Sequence, residues 1–245
     1  MSFKDFLARA TLPLKLVVFP SSCKICGQFL ENPEEKVVCQ DCLDRVEIHR
    51  GEVCQVCGRL FYFREGQPLI CQECLKDQPF FTRHRAAAAY AGVLKQLIIL
   101  FKYHEHESLK KPLARLLLKN QEVQEILESV DLVIPVPLHP SREKERGFNQ
   151  AELLAEEIAR KIGKPVARRV LIKTRKTLAQ VSLEAEDRKH NLKGAFAVKK
   201  PGKITGRKVL LVDDVFTTGS TSQECARILL EAGASEVRVV TLARA

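Results

Sequence analysis

Two groups of residues carry chemistry by their type and spacing. The first is Val209-Leu-Leu-Val-Asp-Asp-Val-Phe-Thr-Thr-Gly-Ser-Thr221. Four apolar residues, Val209 to Val212, predict a buried central strand. Asp213 and Asp214 then emerge at its carboxyl end, where open α/β sheets bind ligands. Two adjacent carboxylates there can accept hydrogen bonds from the 2′ and 3′ hydroxyls of a ribose. Thr217, Thr218, Gly219, Ser220 and Thr221 lead into a helix, so hydroxyls, backbone amides and the helix N-terminus can surround a 5′-phosphate. Gly219 lets the backbone come close, Thr221 and Glu224 have capping-box spacing, and Gly233 suits the C-terminal cap. Two solvated aspartates on an ordinary strand–turn–helix would explain the acid pair alone, but not the whole combination.

The second group is cysteine. Eight of nine fall in Cys-x-x-Cys pairs, Cys23/Cys26, Cys39/Cys42, Cys54/Cys57 and Cys71/Cys74, with Gly27 and Gly58 placed for knuckle turns. Two knuckles supply the tetrahedral sulfur cage that zinc prefers. The simplest pairing is sequential, giving two structural Zn2+ sites, although a crossed pairing satisfies the same spacing. Four thiolates leave no open coordination position for chemistry. A disulfide-rich secreted module is the competing reading, and no secretion signal supports it. Cys225, spaced with Ile228, Leu229 and Ala232, is expected in the core.

These groups need elements to hold them. The cysteine-rich part is expected over residues 1–82, with a boundary near Pro79–His84, and an α/β domain over 83–245. Ala86–Ala91 predicts a strand, 93–103 an amphipathic helix ending at Lys102-Tyr103, and 108–129 further helix with Pro112 near a start. From residue 131 strands and helices alternate, as in a parallel sheet with crossover helices. The expected order is strand 131–136, helix 151–162 stopped by Gly163, strand 166–172, an irregular basic stretch to about 195, strand 208–212, helix 220–231 and strand 237–242. No GxGxxG or P-loop motif is present, so nothing supports a dinucleotide-binding or P-loop enzyme.

The formal charge of +10 is uneven. Residues 1–80 hold 10 Lys+Arg against 11 Asp+Glu, and residues 81–245 hold 30 against 19. The positive field of the second part suits phosphate-bearing ligands or nucleic acid. No apolar run reaches membrane-spanning length, so a soluble protein without membrane insertion is expected. Phe61, Tyr62 and Phe63 could stack on bases, but such a cluster more often forms hairpin core. His104-Glu-His-Glu107 reads as a solvated helix end rather than a metal site.

The 209–221 segment resembles the loop of type I phosphoribosyltransferases, which bind phosphoribosyl pyrophosphate with Mg2+ and displace pyrophosphate through an oxocarbenium-like state. That resemblance implies catalytic roles for Asp213 and Asp214. It also places Val136 and Pro137, in Ile134-Pro-Val-Pro-Leu138, at the pyrophosphate loop, with Arg142, Lys144 and Arg146 nearby. Lys173, Arg175, Lys176, Gln180, Arg188 and Asn191 resemble the loop that closes over such sites. Further motifs follow in one order: the knuckles, Lys102-Tyr103, Pro135-Val-Pro137, Arg146-Gly-Phe-Asn-Gln150, Gln180, Arg188-x-x-Asn191 and the acid loop. Together they resemble the ComF family over nearly the whole chain.

The family resemblance implies a type I phosphoribosyltransferase-like parallel sheet behind a small N-terminal double zinc ribbon. Its implied ligand set is Asp213, Asp214, Thr217, Thr218, Gly219, Ser220, Thr221, Val136, Pro137, Arg146, Lys102 and Arg175. It further implies a cytoplasmic competence factor that handles single-stranded DNA during natural transformation with a helicase-like partner. The alternative is an active phosphoribosyltransferase on an unidentified acceptor. Because the chain ends soon after its last predicted strand, any hood over an acceptor is expected from residues before 131. A scaffold that mainly joins partners is the third possibility.

Overall fold

The computed structural model describes residues 21–30, 37–49, 51–61, 69–103, 106–177 and 192–245. Two short helices, α1 (Gln40–Asp44) and α2 (Gln72–Lys76), begin directly after Cys39 and Cys71. They sit within two hairpin-like modules, each closed by an antiparallel bridge, Ser22 to Phe29 and Val53 to Leu60.

A four-stranded parallel sheet follows, built from β1 (Arg83–Ala89), β2 (Leu132–Pro135), β5 (Lys208–Phe216) and β6 (Glu236–Arg244) in the order β1-β6-β5-β2. Val209, Leu210, Leu211 and Val212 are fully buried, as expected of a strand covered on both faces. One face packs on α3 (Gly92–Tyr103), α4 (Lys110–Leu118), α5 (Gln121–Leu127) and α7 (Gln150–Ile162). The other packs beneath α8 (Ser220–Glu231) and a two-stranded antiparallel ribbon, β3 (Leu171–Lys173) with β4 (Phe196–Val198). The short helix α6 (Pro140–Arg146) starts on Pro140, whose missing N–H costs nothing at that position.

Three expectations change in the structure. The helical stretch 108–129 divides at Asn120, whose side chain accepts the Glu122 N–H and starts α5, while its amide donates to the Ala86 carbonyl. The expected strand 166–172 is interrupted. Val166 makes a single parallel bridge to Val133, and the chain turns through Arg169 at φ 57° before β3 pairs with β4. Arg168 leaves the apolar run to pair with Glu152 and Glu156 of α7. Finally, β5 runs on to Phe216, because β6 continues to pair with it through Val215↔Ala243 and Phe216↔Arg244.

The second cysteine module is tied to the edge strand by polar contacts. His84 Nδ1 lies 2.9 Å from the Cys57 carbonyl and Nε2 lies 3.0 Å from Thr241 Oγ1. Burial, opposed by the Cys57 hydrogen bond and reinforced by Arg244 and Arg85, lowers the His84 pKa to about 3. The neutral ring therefore donates from Nδ1 to the Cys57 carbonyl and turns its Nε2 to the Thr241 hydroxyl, which also lies 3.0 Å from the Ala243 carbonyl. Arg85 donates to the carbonyls of Cys54 and Gln55, and Arg244 to that of Cys57. The first module packs apolar residues directly. Cys23, Leu30, Val37, Cys39 and Leu43 share one core with Ala87, Leu94 and Phe101.

Candidate functional site

The cysteines converge as the sequential pairing requires. Ligand atoms of Cys23, Cys26, Cys39 and Cys42 all lie within 4.8 Å of one another, as do those of Cys54, Cys57, Cys71 and Cys74. Sulfur–sulfur distances are 3.7 Å for Cys23–Cys42, 3.7 Å for Cys26–Cys39 and 3.6 Å for Cys57–Cys71. A tetrahedron with Zn–S bonds of about 2.3 Å has edges of about 3.8 Å, so both groups fit zinc. The thiolates also have donors. Cys39 N–H faces Cys23 Sγ at 3.4 Å, Cys71 N–H faces Cys54 Sγ at 3.3 Å, and Arg45 Nη2 lies 2.6 Å from Cys42 Sγ. Cys54 is drawn down to about 4, first by the Cys57 thiol and, against burial, by the N–H groups of Cys57, Cys71 and Val56. Both cages are closed, as structural sites are.

The acid pair lies in the last part of β5 rather than beyond it. Strand alternation sends the two side chains to different partners. Asp214 Oδ2 meets Lys102 Nζ, at the end of α3, at 3.0 Å. Asp213 lies within electrostatic reach of Lys173 on β3, and Lys173 is also within reach of the buried Cys225 of α8. Asp213 Oδ1 accepts the Asp214 N–H at 2.8 Å. Burial, then the Asp214 charge, raise Asp213 to about 7, opposed by that N–H, Lys102 and Lys173. Burial tends to lower Lys102, but Asp214 and Asp213 outweigh it and its pKa rises. Lys173, held more by burial than by its acidic neighbours, is lowered.

The remaining parts gather around these carboxylates. Beyond Pro135 the β2 side of β5 opens, and the Val136 N–H donates to the Val212 carbonyl, placing Val136 and Pro137 beside the acid pair. Asn149 caps α7 through its side-chain oxygen and donates from its amide to the Val136 carbonyl at 3.0 Å. Arg146 Nη1 donates to Gln150 Oε1 at 3.0 Å, and Gln150 Nε2 to the Lys102 carbonyl at 3.4 Å. The Arg146 guanidinium stacks 5.1 Å from the Tyr103 ring centroid, and Phe148 packs on Phe101. Arg146-Gly-Phe-Asn-Gln150 therefore clamps the end of α3 to the 135–137 loop.

The hydroxyl-rich turn differs from its expected form. Gly219 is the N-cap of α8, with φ 80° and no side-chain cap bond. Glu224 forms no capping box; it accepts the Gly194 N–H at 2.8 Å and pairs with Arg227. Thr217 and Thr218 are exposed, Ser220 is buried, and the Thr218 and Ser220 hydroxyls lie 2.8 Å apart. Thr218 Oγ1 also accepts the Ser220 N–H at 3.4 Å, so a threonine hydroxyl sits over the first turn of α8, on the same side as the carboxyl end of β5. Gly233, at φ 98°, follows the C-cap as expected.

Arg175 lies at the rim, exposed, with Nη2 donating to the Lys193 carbonyl. Gln180, Arg188, Asn191, Tyr62, Phe63, His104 and Glu105 fall outside the described residues. Phe61 packs against the second cysteine cluster. Lys173 was readable only as part of a basic stretch, since nothing local marks it as facing Asp213. Asn149 and Gln150 were visible as a motif, but their contacts were not.

Comparison with known proteins gives the same two-part picture. Residues 14–83 match the double zinc ribbon domain and residues 149–245 the phosphoribosyl transferase domain. Competence protein F of Haemophilus influenzae is 35% identical over 214 residues, covering 85% of this chain and 90% of that protein. The DNA utilization protein YhgH of Salmonella typhi is 34% identical over 235 residues, covering 94% and 99%. Competence protein ComFC of Bacillus subtilis is 30% identical over 230 residues, covering 88% and 87%. Among solved structures, glutamine phosphoribosylpyrophosphate amidotransferase from B. subtilis aligns with a TM-score of 0.40 at 22% identity, over 59% of this chain and 30% of that one. Among the described residues, no helix is long and apolar enough to cross a membrane. With its two four-cysteine clusters, its parallel sheet and relatives similar over most of their length, the chain belongs to the ComF family of competence and DNA-utilization proteins.

Proposed function

We propose that this protein binds phosphoribosyl pyrophosphate with Mg2+ and acts in the cytoplasmic handling of single-stranded DNA during uptake, alongside a helicase-like partner. The observation that carries the ligand half is the meeting of Asp213 and Asp214 with Lys102 and the hydroxyl-lined start of α8 at one end of the sheet. Carboxylates accept from ribose hydroxyls, and the helix start receives the 5′-phosphate. Val136, Pro137 and Arg146 face the diphosphate, with which Mg2+ enters. Deoxyribose lacks the 2′ hydroxyl, so the pocket favours a ribose ligand and leaves DNA to another surface.

Calorimetry across pH tests this reading. Asp213, raised to about 7, is half protonated near neutrality, and only its carboxylate accepts from both hydroxyls. Affinity for magnesium phosphoribosyl pyrophosphate is expected to rise about tenfold from pH 6 to pH 8, following ionisation of one group. In the ligand-free protein the sign reverses. A raised carboxyl favours the fold increasingly as pH falls from about 7 toward its ordinary range. Absence of binding at both pH values rejects the pocket.

The competence and DNA-utilization names of the relatives support the DNA half. So do Lys199, Lys200, Lys203, Arg207 and Lys208, all exposed in a segment without an acidic residue. Single-stranded oligonucleotide binding should weaken steeply with salt. Replacing Lys199, Lys200 and Lys203 by alanine should reduce the slope of log K against log salt by about 2, at about 0.7 per phosphate contact. Salt-independent binding, or an unchanged slope, counts against this surface.

An active transferase is the second reading. It is favoured by a cavity of about 580 Å3 that shares Pro137 and Lys173 with the site and has room for an acceptor. Pyrophosphate release in the presence of a nucleobase panel would select it over a binding role.

A further inference from the structure

The second zinc cluster and the phosphate loop are joined by a short chain of packed groups. The Cys57 carbonyl receives two donors, His84 Nδ1 at 2.9 Å and Arg244 Nη1 at 2.8 Å. Both donors then press on one aromatic ring. The His84 imidazole stacks on Phe216 with centroids 3.9 Å apart and planes 21° apart, and the Arg244 guanidinium lies 4.8 Å from the same ring centroid. Phe81 meets that ring edge-on at 6.0 Å, and the Phe216 carbonyl accepts the Ala245 N–H. The ring in turn lies directly under Gly219. A Cβ at Gly219 would stand 2.4 Å from Phe216 Cζ, closer than atoms can approach. The N-cap of α8 is therefore seated on Phe216, and Phe216 is seated on His84 and Arg244, which the knuckle holds.

We infer that Phe216 is a positioning residue for the phosphate loop, and that metal in the second cluster acts on that loop through it. Zinc fixes the backbone of the Cys54–Cys57 knuckle, and so the direction of the Cys57 carbonyl. That carbonyl fixes the His84 and Arg244 planes, which set the height of the ring beneath Gly219. The first cluster makes no such connection among the described residues. It packs on the opposite face of the sheet, against Ala87, Leu94 and Phe101. By reciprocity, a phosphate ligand in the loop must then slow loss of metal from the second cluster more than from the first. The inference deepens the ribose-phosphate reading and rests on it for the identity of the ligand, but the seating of the loop is independent of any ligand.

Hydrogen exchange of the loop, read at the Gln223 amide that closes it on the Gly219 carbonyl at 2.8 Å, is the deciding measurement. Cys71→Ser, which removes a ligand of the second cluster, should leave one zinc per chain and raise exchange of this loop at least tenfold. Cys26→Ser, in the first cluster, should also leave one zinc but change the loop less than twofold. Phe216→Leu should keep both zinc ions and still raise loop exchange, with about tenfold weaker binding of magnesium phosphoribosyl pyrophosphate. Should Cys71→Ser fail to fold, Phe216→Leu decides alone, since it leaves all eight thiolates in place. In the wild-type protein that ligand should slow release of one zinc more than of the other to a chromogenic chelator. Equal loop exchange in the two cysteine variants, or an unchanged loop in Phe216→Leu, overturns the inference. If the wild-type protein fails to bind the ligand, the ribose-phosphate reading falls, and the exchange comparison still decides whether the loop is seated as described.

Discussion

Replacing Asp213 by asparagine and replacing Asp214 by asparagine should each weaken magnesium phosphoribosyl pyrophosphate binding, yet change stability in opposite directions. Asp213 is ionised only against burial and the neighbouring Asp214 charge. At pH 8 an amide of the same shape removes that penalty, so Asp213→Asn should raise the melting temperature by about 2–6 °C. Asp214 instead neutralises Lys102, a largely buried ammonium, at 3.0 Å. Asp214→Asn leaves that charge unmatched and should lower the melting temperature, since breaking a buried pair costs about 3–5 kcal/mol. A hydrogen bond to a charged group contributes about 1.5–3 kcal/mol, so the double replacement should weaken binding at least 100-fold. Calorimetry and thermal melts on the same samples separate the two effects. Unchanged affinity in the double variant would remove the acid pair from the ligand site, whatever the melting curves show.

Stripping metal should have the largest effect on stability. The protein as purified should hold two zinc ions per chain, and prolonged chelation at neutral pH should lower its melting temperature by about 15 °C or more. Each cage is worth about 10–16 kcal/mol of apparent binding energy in isolated peptides, energy that goes into folding because the unfolded chain has no preformed site. Loss should also spread beyond the ribbons. Cys23, Cys39 and Cys42 belong to the same core as Ala87, Leu94 and Phe101, while Cys54, Gln55 and Cys57 supply carbonyls to Arg85, His84 and Arg244. Without metal, the buried His84 and Arg85 lose fixed acceptors, and the edge strand β1 loses its cover. Metal analysis with calorimetric melting tests this, and a metal-free protein melting at the original temperature would make the clusters incidental to the fold.

Sequence determined those features in which a short stretch contains both cause and effect. Cys-x-x-Cys spacing specified knuckles, and the fully apolar run 209–212 specified a central strand. Gly163 and Gly233 marked helix ends, and alternating apolar periods marked a parallel sheet. Arg146-Gly-Phe-Asn-Gln150 stood out as a unit, although its work of clamping Lys102 and the Val136 loop was invisible, because both partners are distant in the chain.

Tertiary structure decided matters that depend on a neighbour. It carried β5 to Phe216, since β6 goes on pairing beyond Val212, and this sent Asp213 and Asp214 to different partners. It cut the 166–172 run at Arg168 and Arg169, where charges on α7 offered better partners than a sheet edge. It turned Glu224 from a helix cap into a tie to Gly194. Above all, it gave Gly219 a second reason to be glycine. Local chemistry asks only that the backbone approach a phosphate, whereas the Phe216 ring beneath it forbids any side chain at all.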